Sequence, residues 1–416
     1  MNLSPVVIAI PVYFLLMAIE IIVLRFQKNP SYRLNDAITN INCGVVSQVS
    51  GVFLKVLSIG LYTLVYENLA LFTIPNSIWF LLLLFFLYDF CYYWAHRMSH
   101  EINLFWGGHV VHHSSEEYNL SVALRQSSTQ TIWTFFFYLP LAVLGFDPIS
   151  LVLVSGLNLL YQFWIHTESI GKMGFLEKFM NTPSHHRVHH GRNPKYIDKN
   201  HGGTFIIFDK WFGTFQEEEE RPTYGITTPV NSWNPVWVNI AHYANMKAEI
   251  KNIKGLKDKI RYLFKKPGWL PDYLGGQREV KPVEDTYRKF DTTVPNPLNY
   301  YVFFQYLILM VLTAFFLFNL PDFDLITKLG MSLMIIWSTV SFSGIFEQSR
   351  WYHIQEVFRI LAFSVLLHFL TADMMDEGTR NLLFLLFASC SYLWLYLNVG
   401  IVKKFRQAIH KSTQNA

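Results

Sequence analysis

The sequence predicts an all-α protein: a polytopic bundle of about nine membrane-spanning helices with a histidine-rich two-metal cap on its cytoplasmic side. Two observations support this prediction. Hydrophobic residues make up 51% of the 416 residues and aromatic residues 17%, which is high for a soluble domain and typical of a polytopic membrane protein. In addition, 11 of the 15 histidines lie between residues 96 and 201, far more than an even distribution would place there.

Nine apolar runs predict the membrane spans, and the basic residues beside them predict the topology. Lysine and arginine directly follow the first and the last run, and such residues concentrate on the cytoplasmic side of membrane proteins. The N-terminus is therefore predicted outside and the C-terminus inside, with the first run a retained anchor rather than a signal peptide. These basic residues are Arg25, Lys28 and Arg33, and Lys403, Lys404, Arg406 and Lys411. The runs lie at about 3–24, 41–65, 78–93, 131–144, 149–165, 300–320, 326–346, 357–370 and 382–402.

Composition divides the chain into four predicted parts. They are N-terminal spans (1–75), a catalytic core (76–230), a cytoplasmic or interfacial segment (231–299), and C-terminal spans with a basic tail (300–416). Within the core, the two runs between 131 and 165 are short, so they either cross the membrane as a hairpin or re-enter from one side. Within the third part, lysines alternate with apolar residues over 246–266. This pattern fits either an amphipathic helix on an anionic membrane surface or an ordinary soluble helix.

Three histidine clusters have the spacing of metal ligands on helices. One reads H-x-x-x-H and two read H-x-x-H-H, and positions i, i+3 and i+4 share one helical face. Neutral imidazole binds iron, zinc and copper, and the three cysteines form no C-x-x-C pattern that would indicate a thiolate site. Eight clustered histidines exceed what one ion can use, so the sequence predicts two metal ions. The eight are His96, His100, His109, His112, His113, His186, His189 and His190.

Two further residues extend the candidate site. His166 follows an apolar run and lies on the same predicted side of the membrane as the clusters, so we expect it to bind metal with them. Asp89 lies inside the third run, where a carboxylate is costly, and it is therefore a candidate catalytic residue. It would orient a histidine of another helix. The alternative is a structural hydrogen bond within the bundle.

The motifs argue against several functions. The chain has no H-E-x-x-H pattern of zinc proteases, no G-x-S-x-G pattern of serine hydrolases, and a net charge of +4 that is too weak to indicate nucleic-acid binding. Nearby carboxylates lack the ligand spacing of two-metal hydrolases. A metal-ion transporter would carry its histidines within the spans rather than just outside them. A nearly all-histidine pair of irons suits O2 activation, with a long-chain lipid entering from the bilayer.

Longer strings around the clusters carry a family resemblance. The clusters resemble those of the fatty acid hydroxylase and sterol desaturase superfamily, and over about 85–230 the chain is similar to the alkylglycerol monooxygenase family in particular. The strings include Tyr-Trp-Ala-His-Arg-Met-Ser-His-Glu at 93–101, Tyr-Gln-Phe-Trp-Ile-His-Thr-Glu at 161–168, and Asn-Thr-Pro-Ser-His-His-Arg-Val-His-His-Gly-Arg-Asn at 181–193.

The resemblance implies an integral-membrane di-iron monooxygenase that cleaves ether lipids with O2 and tetrahydrobiopterin. Hydroxylation of the carbon next to the ether oxygen would give a fatty aldehyde and a glycerol derivative. The resemblance also implies that the eight clustered histidines are ligands and that Glu101 is a carboxylate beside or between the metals. It leaves the roles of His185 and His201 open and identifies no pterin site. The alternative is a fatty acid or sterol hydroxylase or desaturase of the same superfamily that receives electrons from a protein donor.

Overall fold

The computed structural model describes residues 5–414 apart from 30, 285 and 373, and side chains over 9–398 apart from 55 as well. The regular elements of this part are all helices, which confirms the all-α prediction. Leu3, the predicted start of the first span, and the side chains of Lys403, Lys404, Arg406 and Lys411 lie outside it. The chain forms two compact units: Met1–Asn231 with Trp237–Lys289, and Ser232–Val236 with Phe290–Ala416.

The first unit begins with three long helices and continues with shorter ones that surround the end of the third. The long helices are α1 (Pro5–Phe26), α2 (Leu34–Leu69) and α3 (Ile78–Glu101). The shorter ones are α4 (Asn103–His113), α5 (Leu120–Ala123), α6 (Gln130–Thr134), α7 (Leu139–Val143), α8 (Pro148–Trp164), α9 (Pro183–His190), α10 (Ile207–Trp211), α11 (Pro235–Ile250) and α12 (Leu256–Phe264). Helix α3 packs against α4 and α8, which brings the histidine-bearing segments together.

Local chemistry explains where α8 begins. The Asp147 side chain accepts the N–H groups of Ile149 and Ser150, each at 3.0 Å, and so satisfies two donors that the first turn leaves free. Pro148 fits the first helical position because its missing N–H is not needed there. The helix then runs to Trp164 and places His166 just beyond its end.

Seven helices in the described part are long and apolar enough to cross a membrane: α1, α2 and α3, and four helices of the second unit. Those four are α13 (Asn296–Phe318), α14 (Leu325–Phe346), α15 (Tyr352–Leu370) and α16 (Glu377–Gln414). The two apolar segments Gln130–Val143 and Pro148–Trp164 are shorter than the roughly 20 residues that a span usually needs. The chain is therefore an integral membrane protein by its helices, while the count of nine spans stays a prediction.

A buried ion pair lies among the helices of the second unit. Arg359 and Glu356 of α15 are 1% and 0% exposed, and the Arg359 Nε atom donates to the Glu356 carboxylate at 2.7 Å. Tyr301 of α13 donates to the same carboxylate at 2.6 Å, and Arg359 donates to Gln305 of α13 at 2.8 Å. Burial of two charges is tolerated only when each is paired and hydrogen-bonded, as here. The network therefore ties α13 to α15.

We expect the substitution Glu356→Gln to destabilise the second unit by about 3–5 kcal/mol, because it leaves the Arg359 charge buried without its counter-charge. Chemical unfolding of the purified protein in detergent measures this loss. Glu377→Gln, at an exposed glutamate of the same unit, is the control and should unfold like the wild type. Addition of Arg359→Met to Glu356→Gln should recover most of the stability. Wild-type stability of the single variant would contradict this account.

Candidate metal centre

Nine buried histidines come together in two groups. They lie on α3, α4 and α9 and just after α8, and within each group the ligand-capable atoms are all within 4.8 Å of one another. The structure thus places together each histidine that the sequence singled out as a metal ligand. The five-histidine group contains His96, His100, His109, His113 and His189, and the four-histidine group contains His112, His166, His186 and His190.

Each H-x-x-H-H motif supplies both groups. On α4, His109 and His113 lie one turn apart and join the five-histidine group, whereas His112 joins the four-histidine group. On α9, His186 and His190 are one turn apart and His189 joins the other group. Consecutive helical residues point about 100° apart, so one side of a short helix can supply both histidine groups.

Backbone carbonyl groups fix the tautomer of four of these rings. A carbonyl oxygen accepts but cannot donate, so the Nδ1 atom that faces it carries the proton and the Nε2 atom keeps a lone pair. The two sites use separate sets of carbonyls. The donor–acceptor pairs, at 2.7–3.0 Å, are His96 with His201, His189 with Lys199, His112 with Arg125, and His166 with Gln162.

The Nε2 atoms converge inside each group. Neighbouring Nε2 atoms lie 2.8–3.2 Å apart, a distance at which two lone pairs repel unless a proton or a cation lies between them. Other buried Nε2 atoms have no hydrogen-bond partner among the described residues, and such atoms are costly unless something satisfies them. The donor set fits two metal ions of the kind that prefer imidazole. The converging rings are His96, His109 and His113, and His112, His166 and His186; those without a partner are His100, His189 and His190.

Burial keeps these histidines neutral. It lowers the pKa of His109, His113 and His189 well below the ordinary value, and the neighbouring imidazoles lower it further. Burial also lowers the pKa of His112 to about 4. Neutral imidazole is the form that binds a metal ion, so burial keeps these rings in the state that can bind a cation.

Known proteins resemble the chain over most of its length. Residues 81–214, which contain all nine histidines, match the family model for fatty acid hydroxylase. The chain is 38% identical to alkylglycerol monooxygenase of Homo sapiens over 394 residues, which is 93% of this chain and 87% of the relative. The relative from Xenopus tropicalis is 40% identical over 301 residues, which cover 72% of this chain and 67% of the length of that relative. The relative from Caenorhabditis elegans is 32% identical over 408 residues, which cover 92% of this chain and 80% of the length of that relative.

The chain belongs to the alkylglycerol monooxygenase family. This confirms the resemblance seen in the histidine strings, and with it that the chain is an oxygen-dependent oxidoreductase. No solved structure matches the chain.

A loop of this family member orients two rings of the five-histidine group. The carbonyl groups of Lys199 and His201, which bond to His189 and His96, stand two residues apart in the loop 198–203. Asn200 between them has a φ of 54°, which is uncommon for a residue other than glycine. Its side-chain amide holds that conformation by donating to the His185 and Gln216 carbonyls at 3.0 and 2.8 Å.

Asp209 fastens the same loop. Its carboxylate accepts the N–H groups of His201 and Gly202 at 2.7 Å each, and the Thr214 hydroxyl at 2.7 Å. A side chain at Gly202 would place its Cβ 3.0 Å from the Asp209 carboxylate and 2.3 Å from the Phe205 carbonyl oxygen, so this close approach requires glycine. Sequence reasoning missed Asp209 because it lies at no ligand spacing from a histidine.

The Asp89 carboxylate bonds to backbone and to an amide rather than to a histidine, and its catalytic role stays a prediction. Its buried carboxylate accepts the N–H groups of Thr204 and Phe205 at 2.8 Å each and the Asn158 amide at 2.6 Å. A Cβ at Gly203 would lie 2.5 Å from this carboxylate, so the glycine lets the loop backbone reach it. Asp89 therefore holds the backbone directly after the loop that orients His96, and these contacts are structural hydrogen bonds of the kind named as the alternative.

Glu101, the second predicted catalytic residue, lies outside both histidine groups. Its carboxylate accepts from Arg97 one turn earlier on α3 at 3.0 Å, and Arg97 also donates to Tyr93 at 3.1 Å. Asp198 is a carboxylate close to the five-histidine group, 3.8 Å from Nδ1 of His100. Its position beside a histidine comes from the loop and not from any motif spacing.

The two histidines whose roles the sequence left open differ in position. The His201 ring is fully buried, 5.0 Å between ring centroids from His100, and burial lowers its pKa to about 3. It lies outside the five-histidine group, and its contribution there is the backbone carbonyl that bonds to His96. His185 packs edge-on against Phe215 and belongs to neither group.

We expect the substitution Asp209→Asn to lower the metal content of the purified protein. An asparagine amide would turn an N–H group toward one of the two loop N–H groups, so that hydrogen bond is lost. The carboxylate charge is lost as well, and hydrogen bonds to a charged group are each worth about 1.5–3 kcal/mol. The His201 carbonyl that positions His96 therefore loses its support. Elemental analysis measures the ions per chain. Asp147→Asn is the matched control, because Asp147 also caps two backbone N–H groups but lies far along the chain from the loop. An unchanged metal content in Asp209→Asn would rule out this role.

Proposed function

We propose that the chain is a di-iron monooxygenase that cleaves the ether bond of alkylglycerol lipids with O2 and tetrahydrobiopterin. The observation that carries this proposal is the pair of buried histidine groups within a chain that is 38% identical to an alkylglycerol monooxygenase over 93% of its length. The seven apolar helices support a substrate taken from the bilayer.

The proposed ligands of the two irons are the five and the four grouped histidines. A saturated carbon–hydrogen bond offers no group for acid–base attack, and bound iron would supply activated oxygen for it. The chain's own residues prepare the site. Backbone carbonyls hold the imidazoles neutral with Nε2 directed inward, and burial excludes bulk water.

Hydroxylation is proposed at the alkyl carbon next to the ether oxygen. The product is a hemiacetal, which collapses to a fatty aldehyde and a glycerol derivative. His96 and His100 lie in the last two turns of α3, at one end of an apolar span. The ether oxygen of a glyceryl ether lies near the headgroup, at the membrane–water boundary. The reactive carbon can thus reach the histidine groups while the rest of the lipid stays in the bilayer.

We also propose that the histidine groups face the cytoplasm, because Arg25, Lys28 and Arg33 follow the first span. The exposed Lys195, five residues after His190, reports the side. The test uses a cysteine at this position in a chain with Cys91 and Cys390 replaced by serine. It should react with a membrane-impermeant reagent only after the cells are permeabilised, which gives the reagent access to the cytoplasmic side. Labelling of intact cells from outside would reverse the topology.

The first test of the metal assignment is stoichiometry. The wild type should hold two ions per chain, and His189→Ala or His186→Ala should lower the metal content and abolish activity. His185→Ala is the matched control, because His185 lies on the same helix but outside both groups. A wild type with one ion, or a fully active His189→Ala variant, would defeat the two-metal assignment.

The pH dependence of metal retention is a second test. The pKa of His112 is lowered to about 4, so its ring stays neutral as the pH falls through the ordinary histidine value of about 6.5. Metal content should therefore stay constant through pH 6.5 and fall only as the pH approaches about 4, where protons take the Nε2 positions. Release near pH 6.5, as from exposed histidines, would contradict the buried arrangement.

The reaction itself is tested with membranes that contain the protein. Given an alkylglycerol, O2 and tetrahydrobiopterin, they should release fatty aldehyde, and omission of the pterin should stop the release. The match to the fatty acid hydroxylase model favours one other candidate, a lipid hydroxylase supplied by an electron-transfer protein. Turnover of acyl or sterol substrates with such a donor, and none of alkylglycerol with pterin, would establish that candidate instead.

A further inference from the structure

Helix α12 carries an apolar stripe that nothing in the described chain covers. Leu256, Ile260 and Phe264 are 74%, 48% and 54% exposed. They are spaced four residues apart and so share one face of the helix. The opposite face is already used, because Tyr262 is buried in a cluster with Ile253 and other apolar residues. A soluble helix would bury one apolar stripe and present polar residues to water, so the second stripe requires another partner.

The charged residues around this stripe are almost all basic. Between residues 251 and 266 there are seven basic residues and one acidic residue, so the segment carries more positive charge than the net +4 of the whole chain. The acidic residue, Asp258, is already paired with Arg261 at 3.1 Å. A short helix with exposed apolar residues between lysines is the pattern of helices that lie on anionic membrane surfaces. The basic residues are Lys251, Lys254, Lys257, Lys259, Arg261, Lys265 and Lys266.

The position of α12 places it beside the end of a membrane span. Asn103, two residues after α3 ends, donates its N–H to the Lys265 carbonyl at 2.9 Å and its side-chain amide to the Tyr262 carbonyl at 3.2 Å. Lys266 pairs with Asp198 at 3.1 Å, and Asp198 lies 3.8 Å from His100. Because α3 is apolar enough to cross the bilayer, the helix bonded to its end lies near the membrane surface.

We propose that α12 is a membrane-docking helix whose exposed stripe enters the headgroup layer and whose lysines bind anionic lipid headgroups. Two copies of the chain would not pair through this face, since their like charges repel. Three side chains are also too small a surface for a stable protein interface, which buries about 800 Å² on each partner. The inference rests on the membrane helices and not on the metals. Its consequence is that lipid charge holds the end of α3, and the histidines on it, at the level of the headgroups.

The test uses the full chain in lipid nanodiscs, one set of phosphatidylcholine alone and one with about a third phosphatidylserine, enough to give an anionic surface. A nitroxide is attached at Ile260→Cys in a chain with Cys91 and Cys390 replaced by serine; Cys43 is fully buried and stays. Arg261→Cys, an exposed position whose side chain points about 100° away from Ile260 around the same helix, is the matched control. The measurement compares relaxation by O2, which enters lipid, with relaxation by a water-soluble nickel chelate.

In the anionic discs we expect the ratio of O2 to nickel relaxation at position 260 to rise several-fold over that at position 261. Lys254→Glu with Lys257→Glu, away from both histidine groups, should abolish this rise at position 260 and leave aldehyde release in detergent unchanged. A label at 260 that stays accessible to nickel in both discs overturns the proposal. So does equal shielding in both discs, or spin–spin broadening that shows contact between two copies. An absence of aldehyde release by the wild type would contradict the proposed function but would not change the relaxation measurement, which does not depend on activity.

Discussion

The need to keep nine buried imidazoles neutral, with their ring nitrogens close together, governs the arrangement of the first unit. Lone pairs at 2.8–3.2 Å repel, and a charged imidazole in that interior would be costly. Four rings are held by backbone carbonyls, which accept a proton-bearing Nδ1 and leave no freedom of tautomer. Carbonyls carry no charge and suit this purpose, because a carboxylate at each position would favour the imidazolium form. The site can therefore take up cations without titrating near neutral pH.

The two histidine groups depend on different parts of the chain. In the four-histidine group the orienting carbonyls belong to Arg125 and Gln162, and Gln162 lies one turn before the histidine it orients. In the five-histidine group they belong to the loop 198–203, which Asp209 holds within its second half and Asp89 holds through the backbone directly after it. Buried carboxylates are costly, and here each is compensated by backbone N–H groups that the loop would otherwise leave unsatisfied. Changes in the loop 198–203 should therefore affect the five-histidine group more than the four-histidine group.

The sequence was sufficient to identify the nine histidines that come together but not their grouping or their support. Spacings of three and four residues are local, so H-x-x-H-H places its rings on one side of a helix whatever the fold around it. Which ring joins which group depends on how α3 and the end of α8 approach α4, and no spacing contains that information. Asp89 illustrates the same limit. Its helical face was visible in the sequence, but the backbone that Gly203 admits beside it was not. The short segments between 130 and 164 leave the number of spans undecided for a similar reason, since length alone separates a span from a re-entrant arm.

The depth of the histidines distinguishes the proposed substrate from the alternatives. A hydrocarbon core is about 30 Å thick and contains two leaflets, so a mid-chain acyl carbon lies about 7–8 Å below the headgroups, which is the rise of about five helical residues. His96 and His100 are five and one residues from the end of α3, and His109 and His112 lie beyond that end on α4. To reach His100 and the rings beyond the end of α3, a mid-chain carbon would have to be drawn toward the surface by most of that distance, at the cost of exposing apolar chain to polar surroundings. The carbon next to a glyceryl ether oxygen is already at the boundary, so the proposed reaction needs little displacement of the lipid from the bilayer.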